Sequence, residues 1–228
     1  CRLLTLLGPG GSGKTRLALE TARLLAEAPP PVFAEGVWFV NLAPLSDSSA
    51  LLPAIAQSLG IPISGDLTQR QQQMLDYLQS KSLLLLLDNM EHLINPHSLE
   101  LVTTLLSGSA GTRVLVTSRA RLNLRAERLF PVEGLLVPPE NALIEGNLPD
   151  NFSEYSAVEL FRTCVARLEP SFQINRDNYQ AVVRICRLVQ GMPLGIELAT
   201  TWMELLSPEE VATEIELSLD FLESTWDD

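Results

Sequence analysis

Short aliphatic runs alternate with longer stretches of helical periodicity over residues 1–138 of the 228-residue chain. Leu3–Leu7 reads as a strand, and from about Lys14 to Ala28 the residues Leu17, Ala18, Leu24, Leu25 and Ala28 share one helical face. Pro29-Pro30-Pro31 stops that helix, because proline lacks the N–H a helix interior needs. Val37–Leu42 is the next predicted strand, followed by helices around Ser49–Leu59 and Thr68–Gln79. Ser82–Leu87, Val114–Thr117 and roughly Arg128–Val132 complete five strands. Near-continuous aliphatic strands separated by helices predict an α/β domain whose parallel sheet is covered on both faces.

The pattern changes after Pro138. Pro139 to Asp150 carries Pro, Gly and Asn without apolar periodicity and reads as a linker. Beyond it no strand is evident. Ala157, Leu160, Phe161, Cys164, Val165 and Leu168 form one helical stripe; Asp177–Gln190 and Leu194–Leu205 predict two more helices. Ser207-Pro208-Glu209-Glu210 is a capping box with proline at the first helical position, opening a fourth. The expected division is a domain at 1–138, a linker at 139–150 and a helical domain at 151–228.

Charge sharpens this division. Residues 1–138 hold 11 Lys and Arg against 11 Asp and Glu, whereas the remainder holds 5 against 17, which accounts for the whole net charge of −12. Neither half offers a generally basic surface, so direct nucleic-acid binding by this stretch is not expected. Leu83–Leu87, the longest aliphatic run, is far short of a membrane span, and a soluble, cytoplasmic protein without membrane contact is expected. Cys1, Cys164 and Cys186 are too scattered for a disulfide framework or a zinc site, and the last two fall on apolar helix faces. The chain starts with Cys rather than Met, which predicts an excised piece of a longer protein.

Gly8-Pro9-Gly10-Gly11-Ser12-Gly13-Lys14-Thr15 is a complete G-x-x-x-x-G-K-[ST] phosphate-binding loop between a predicted strand and a predicted helix. Glycines let successive backbone N–H groups curl around phosphate oxygens, and the helix start adds its positive dipole end. Lys14, expected to face solvent, supplies a charge for the β- and γ-phosphates, and the Thr15 hydroxyl can ligate Mg²⁺. Gly8, Gly10, Gly11, Ser12, Gly13, Lys14, Thr15 and the adjoining Arg16 make the candidate nucleotide-binding set.

Three further positions bear on the chemistry. Asp88 ends the run Leu83–Leu87, where a carboxylate can hold Mg²⁺ through its waters beside Thr15. Asn89 follows, where a catalytic acid often sits, and an amide cannot accept a proton from water. Glu91 is close enough to act as base, but a Glu in the first turn of a helix near His92-Leu93 is equally explained by the helix dipole. Arg119, after Thr117-Ser118, would stand at the carboxyl edge of the sheet as a γ-phosphate sensor, with Arg121 and Arg125 as competitors. His92 and His97 lack metal spacing and read as surface or partly packed side chains.

Gly191-Met192-Pro193-Leu194-Gly195 is ordinary helix punctuation by itself. Together with the motifs above, it makes the chain resemble, over essentially its whole length, the NB-ARC-like STAND family of signalling P-loop NTPases. Within that family the chain is similar to bacterial multidomain transcriptional regulators of the antibiotic-regulatory and large LuxR types. The residues carrying this are Thr5–Leu19, Asn41-Leu42-Ala43-Pro44-Leu45, Leu87–Leu93, Val116-Thr117-Ser118-Arg119 and the Gly191 segment. The resemblance implies an additional central strand with sheet order 5-1-4-3-2, and a small all-α lid whose Pro193 meets the adenine and ribose side of ATP or ADP. It also implies partners beyond this stretch: a winged-helix domain, sensor repeats and ATP-dependent self-assembly.

The function expected is an ATP/ADP switch module with slow Mg²⁺-dependent hydrolysis that resets it, using Lys14, Asp88, Glu91 and Arg119. The alternatives are a motor or remodelling ATPase of the related AAA+ type, and a static interaction module with structural nucleotide.

Overall fold

Each of the five expected strands is present in a computed structural model of the chain, which describes residues 1–139 and 154–218. Most of the expected linker, with the ends of the expected helical domain at 151–153 and 219–228, lies outside the described residues. The chain divides into two compact units, one of Cys1–Gly10 with Lys14–Val132 and the other of Gly11–Gly13 with Glu133–Asp228.

The first unit is built on β1 (Leu3–Leu7), β2 (Val37–Asn41), β3 (Leu84–Asp88), β4 (Arg113–Ser118) and β5 (Glu127–Pro131). All neighbours are parallel, in the order β2-β3-β4-β1-β5, so β4 stands between β1 and β3 as the additional central strand. Strand alternation sorts the core into two faces. Leu3, Val40, Leu85, Leu87, Val114 and Val116 pack in a large cluster with α2 (Leu51–Leu59), α3 (Leu67–Leu78) and α4 (Pro96–Gly108). Leu6, Leu84, Leu86 and Leu115 pack on the opposite side with Ala18 of α1 (Lys14–Glu27). A fully buried leucine of this kind contributes about 1.5–3 kcal/mol relative to exposure.

Coverage is less even than expected. β3 is buried throughout, but β5 is almost entirely exposed and β2 is buried only in part, because both are edges of the sheet. Pro131 is tolerated at the end of such an edge. The expected face of α1 is also corrected. Ala18 is buried, whereas Leu17 and Leu24 are 40% and 56% exposed. The helix instead turns Ala18, Ala22 and Leu25 to the sheet, a spacing with the same helical period.

Caps explain other boundaries. The helix expected at Ser49–Leu59 opens with a 3₁₀ turn, Ser48–Ala50, capped by the Asp47 carboxylate on the Ser49 N–H. α3 carries a reciprocal capping box between Asp66 and Gln69. α4 has a similar box between Asn95 and Ser98 with Pro96 at its start, and the apolar pattern alone did not isolate this helix.

The second unit is helical among the described residues: α5 (Ser156–Leu168), α6 (Tyr179–Leu188), α7 (Pro193–Thr201) and α8 (Pro208–Leu217). Phe161, Val165, Val182, Cys186, Ile196, Ala199, Val211 and Ile215 share its core. Cys164 and Cys186 are buried, and burial pushes the Cys186 thiol up to about 12, which keeps it protonated and unreactive. α6 begins later than expected because the Asn175 side chain accepts from the N–H groups of Asp177 and Asn178 and holds a turn there. α7 gives way to a 3₁₀ turn, Trp202–Glu204, after Thr200 and Thr201 bond back to carbonyls three residues earlier. α8 opens with the expected capping box between Ser207 and Glu210.

Candidate nucleotide site

The carboxyl ends of β1, β3 and β4 bring most of the chemistry together. Gly8 leaves β1 with its N–H on the Ser118 carbonyl at the end of β4 (3.3 Å). Gly11 and Gly13 have φ of 74° and 85°, the left-handed conformation that glycine adopts without a steric penalty and that a curled phosphate loop requires. Lys14 begins α1. It is 7% exposed rather than solvent-facing, because its Nζ folds over the loop and donates to the Pro9 carbonyl at 2.8 Å. Burial pulls the Lys14 ammonium below its ordinary range; the Glu91 carboxylate opposes this, Arg119 adds to it, and Asp88 opposes it.

Asp88 is a buried carboxylate with two hydroxyl donors on one oxygen. Thr15 Oγ1 donates to Oδ1 at 2.8 Å, and Thr117 Oγ1 donates to the same atom at 2.5 Å. Thr117 also accepts from the Asn89 N–H at 2.9 Å, so one threonine aligns both the carboxylate and the turn that follows it. The hydroxyl and carboxylate oxygens of Thr15 and Asp88 are hard donors suited to Mg²⁺, with room in such chemistry for waters and phosphate oxygens as further ligands.

Asn89 has φ of 65°, a left-handed conformation that asparagine tolerates. The chain then makes one 3₁₀ turn, Met90–Leu93, which buries Met90 and Leu93. No α-helix starts at Glu91. The next one begins at Pro96, so the helix-dipole explanation of Glu91 is corrected: a single short turn offers little dipole. Glu91 instead pairs with Arg119, Oε1 to Nε at 3.1 Å, while its Oε2 is buried without a hydrogen-bond partner. The Glu91 side chain is 19% exposed and that of Arg119 is 65% exposed. A Cβ added to Gly10 would lie 3.1 Å from Arg119 Nη2, so the guanidinium rests against the phosphate loop.

The other candidates take different places. Arg16, Arg121 and Arg125 are exposed. His92 Nε2 meets the carbonyls of Leu42 and Leu45 at 3.1 and 2.9 Å, tying down the segment after β2. Pro193 begins α7 in the second unit, after left-handed Gln190 and Gly191. A Cβ on Gly191 would lie 2.2 Å from the Leu135 carbonyl oxygen, and one on Gly134 would lie 2.1 Å from that of Gln190. These two glycines let the 134–135 segment pass directly against the α6–α7 turn. Gly134 was not singled out by sequence, and Thr117 was named only within the Val116–Arg119 segment without a role, although a hydroxyl at a strand end beside an acidic strand end is a readable signal.

The sequence profile described as "AAA domain" matches residues 1–124, more than half of the chain. The chain belongs to the AAA domain family. It is therefore a P-loop NTPase domain, in agreement with the loop, the strand order and the Asp88 position. It is 32% identical over 211 residues to a Mycobacterium tuberculosis protein named as an HTH-type transcriptional regulator, covering 92% of this chain and 21% of that protein. Two solved structures share the fold. One is the Aeropyrum pernix ORC2 protein in ADPNP–ADP complexes: TM-score 0.56, 16% identity, 94% of this chain and 62% of that one. The other is a Signal Transduction ATPase with Numerous Domains (STAND) protein with a tetratricopeptide repeat sensor from Pyrococcus horikoshii: TM-score 0.52, 14% identity, 94% of this chain and 30% of that one. No helix among the described residues is long and apolar enough to cross a membrane.

Proposed function

We propose that the chain is the ATP/ADP switch module of a multidomain regulator, in which bound nucleotide biases conformation and slow hydrolysis resets it. The observation that carries this reading is the Lys14–Thr15–Asp88–Glu91–Arg119 cluster at one edge of the sheet, built around a buried carboxylate that accepts the Thr15 hydroxyl. Backbone amides of Gly10–Lys14 bind the phosphates, with Lys14 leaving the Pro9 carbonyl for the β- and γ-oxygens. Thr15 and Asp88 would hold Mg²⁺, which would supply charge neutralisation for the phosphates. Arg119 engages the γ-phosphate, the group that distinguishes ATP from ADP and so gives the differential contact a two-state switch needs. Glu91, with a buried free acceptor oxygen, receives the proton of the attacking water.

Slow turnover follows from Asn89, which cannot serve as a base at the position after Asp88. The 151–228 segment acts as the lid, with Pro193 packing on adenine or ribose. The name of the M. tuberculosis relative and the sensor named for the P. horikoshii protein support a place beside DNA-binding and sensor domains; a cytoplasmic setting and ATP-dependent self-assembly complete the same reading.

A motor reading has one observation in its favour, the Glu91 carboxylate within the cluster. Phosphate release under saturating Mg-ATP separates the two. The switch predicts turnover far below the roughly 1–1000 s⁻¹ typical of enzymes, lowered further in Glu91→Gln and raised in Asn89→Asp. Several turnovers per second, lost in Lys14→Ala, would instead establish the motor. Light scattering should then find a larger assembly with a non-hydrolysable ATP analogue than with ADP; equal mass in both contradicts the switch.

A further inference from the structure

We infer that Glu127 is the positioning residue that aims Arg119, and so helps set the preference for a nucleoside triphosphate over a diphosphate. This rests on the reading of Arg119 as the γ-phosphate sensor. The Arg119 guanidinium is held at its tip by Glu91 and rests against the phosphate loop, but the side chain is 65% exposed, so where it starts from, and hence its aim, depends on the backbone of the connection between β4 and β5.

That connection is tied at both ends. At its start, the Ala120 N–H donates to Ser118 Oγ at 3.1 Å. Three residues beyond Arg119, the Leu122 side chain is buried in the main core, and the Leu122 N–H donates to Glu127 Oε1 at 3.0 Å. The Asn123 N–H donates to Glu127 Oε2 at 2.9 Å, with Asn123 in the left-handed conformation, φ 59°. Only Ala120 and Arg121 separate the sensor from this clamp.

The same carboxylate reaches the strand that delivers the phosphate loop. Thr5 Oγ1, fully buried on β1, donates to Glu127 Oε1 at 2.7 Å. Glu127 therefore fastens the arginine-bearing connection to β1, three residues before Gly8. It uses both oxygens and accepts from three donors, a task an ionised carboxylate performs and an amide cannot, since one amide end would turn N–H against N–H.

The test is calorimetric titration of the 228-residue chain with Mg-ADP and with a non-hydrolysable Mg-ATP analogue. Glu127→Gln should reduce the analogue-to-ADP affinity ratio roughly three- to tenfold, the effect of loosening about one hydrogen bond, with ADP affinity nearly unchanged. Arg119→Ala should reduce the same ratio by at least as much, and the double variant should lose little more than Arg119→Ala alone. Should Glu127→Gln fail to fold, Thr5→Val decides, because it cuts the tie to β1 and keeps both loop bonds; it should lower the ratio in the same direction. A ratio unchanged in Glu127→Gln or Thr5→Val while Arg119→Ala lowers it overturns the positioning role alone. An unchanged ratio in Arg119→Ala removes the sensor reading, and the role of Glu127 with it. Equal weakening of both nucleotides by Glu127→Gln would mark a purely structural clamp and also overturn the inference.

Discussion

The turn after β3 is held by side chains, whereas the turn between α6 and α7 is held by backbone. At the end of β3, Asp88 is fastened by the Thr15 and Thr117 hydroxyls, and Thr117 also takes the Asn89 N–H. At the α6–α7 turn the bonds run from Gln190 N to Arg187 O, from Gly191 N to Cys186 O and from Met192 N to Val189 O, all peptide to peptide. The Leu135 N–H adds one to the Gly191 carbonyl at 2.7 Å. The first arrangement places charge and hydroxyl groups for chemistry. The second fixes a shape, and its tolerance is set by whether a Cβ fits.

This contrast predicts that the helical turn breaks hardest. Gly191→Val puts a branched side chain at φ 65° with a Cβ 2.2 Å from the Leu135 oxygen, and should cost on the order of 3 kcal/mol. Hydrogen exchange should accelerate across α6 and α7 while β1, β3 and β4 keep their protection. Uniform loss across both units would erase the distinction drawn here.

Thr117→Val should cost less, about 1–3 kcal/mol, because it leaves the buried Asp88 with one donor fewer and strands the Asn89 N–H. Thermal unfolding should register that loss, and phosphate release should fall with it. An unchanged melting temperature would mean the hydroxyl does not carry the alignment assigned to it.

The smallest effect is expected at Ser207, whose Oγ accepts from the Glu210 N–H at the start of α8. Ser207→Ala should cost about 1 kcal/mol, felt as fraying of α8 in exchange measurements and absent from nucleotide affinity. A change in nucleotide affinity would show that this cap does more than hold a helix end.

The elements were legible where local chemistry and apolar period agree. The phosphate loop needs glycines, a lysine and a threonine at fixed spacing, and Asp88 ends a run of leucines too apolar to be anything but buried strand. α4 was missed because its start signal, Asn95-Pro96 with Ser98, was overshadowed by the expectation of a helix at His92. The face of α1 was misjudged for a different reason. Leu17 and Leu24 lie on the flank of a helix whose orientation must first serve the phosphate loop, and the small residues Ala18 and Ala22 permit the closer approach to the sheet. Gly134 was invisible because its partner Gln190 is distant in sequence, and Glu127 because its tie to Thr5 is distant and its two local bonds go to backbone N–H groups that no side-chain pattern marks.

The central claim is that the sheet unit binds nucleotide phosphates through Lys14, and a calorimetric titration of Mg-ADP into the wild-type chain and into Lys14→Ala tests it most directly. The wild type should bind one nucleotide per chain and, at about a hundredfold excess over the dissociation constant, gain about 2.7 kcal/mol of stability. Lys14→Ala should keep its fold, give no binding heat and gain no stability. Equal heats and equal stabilisation in the two proteins would contradict the account.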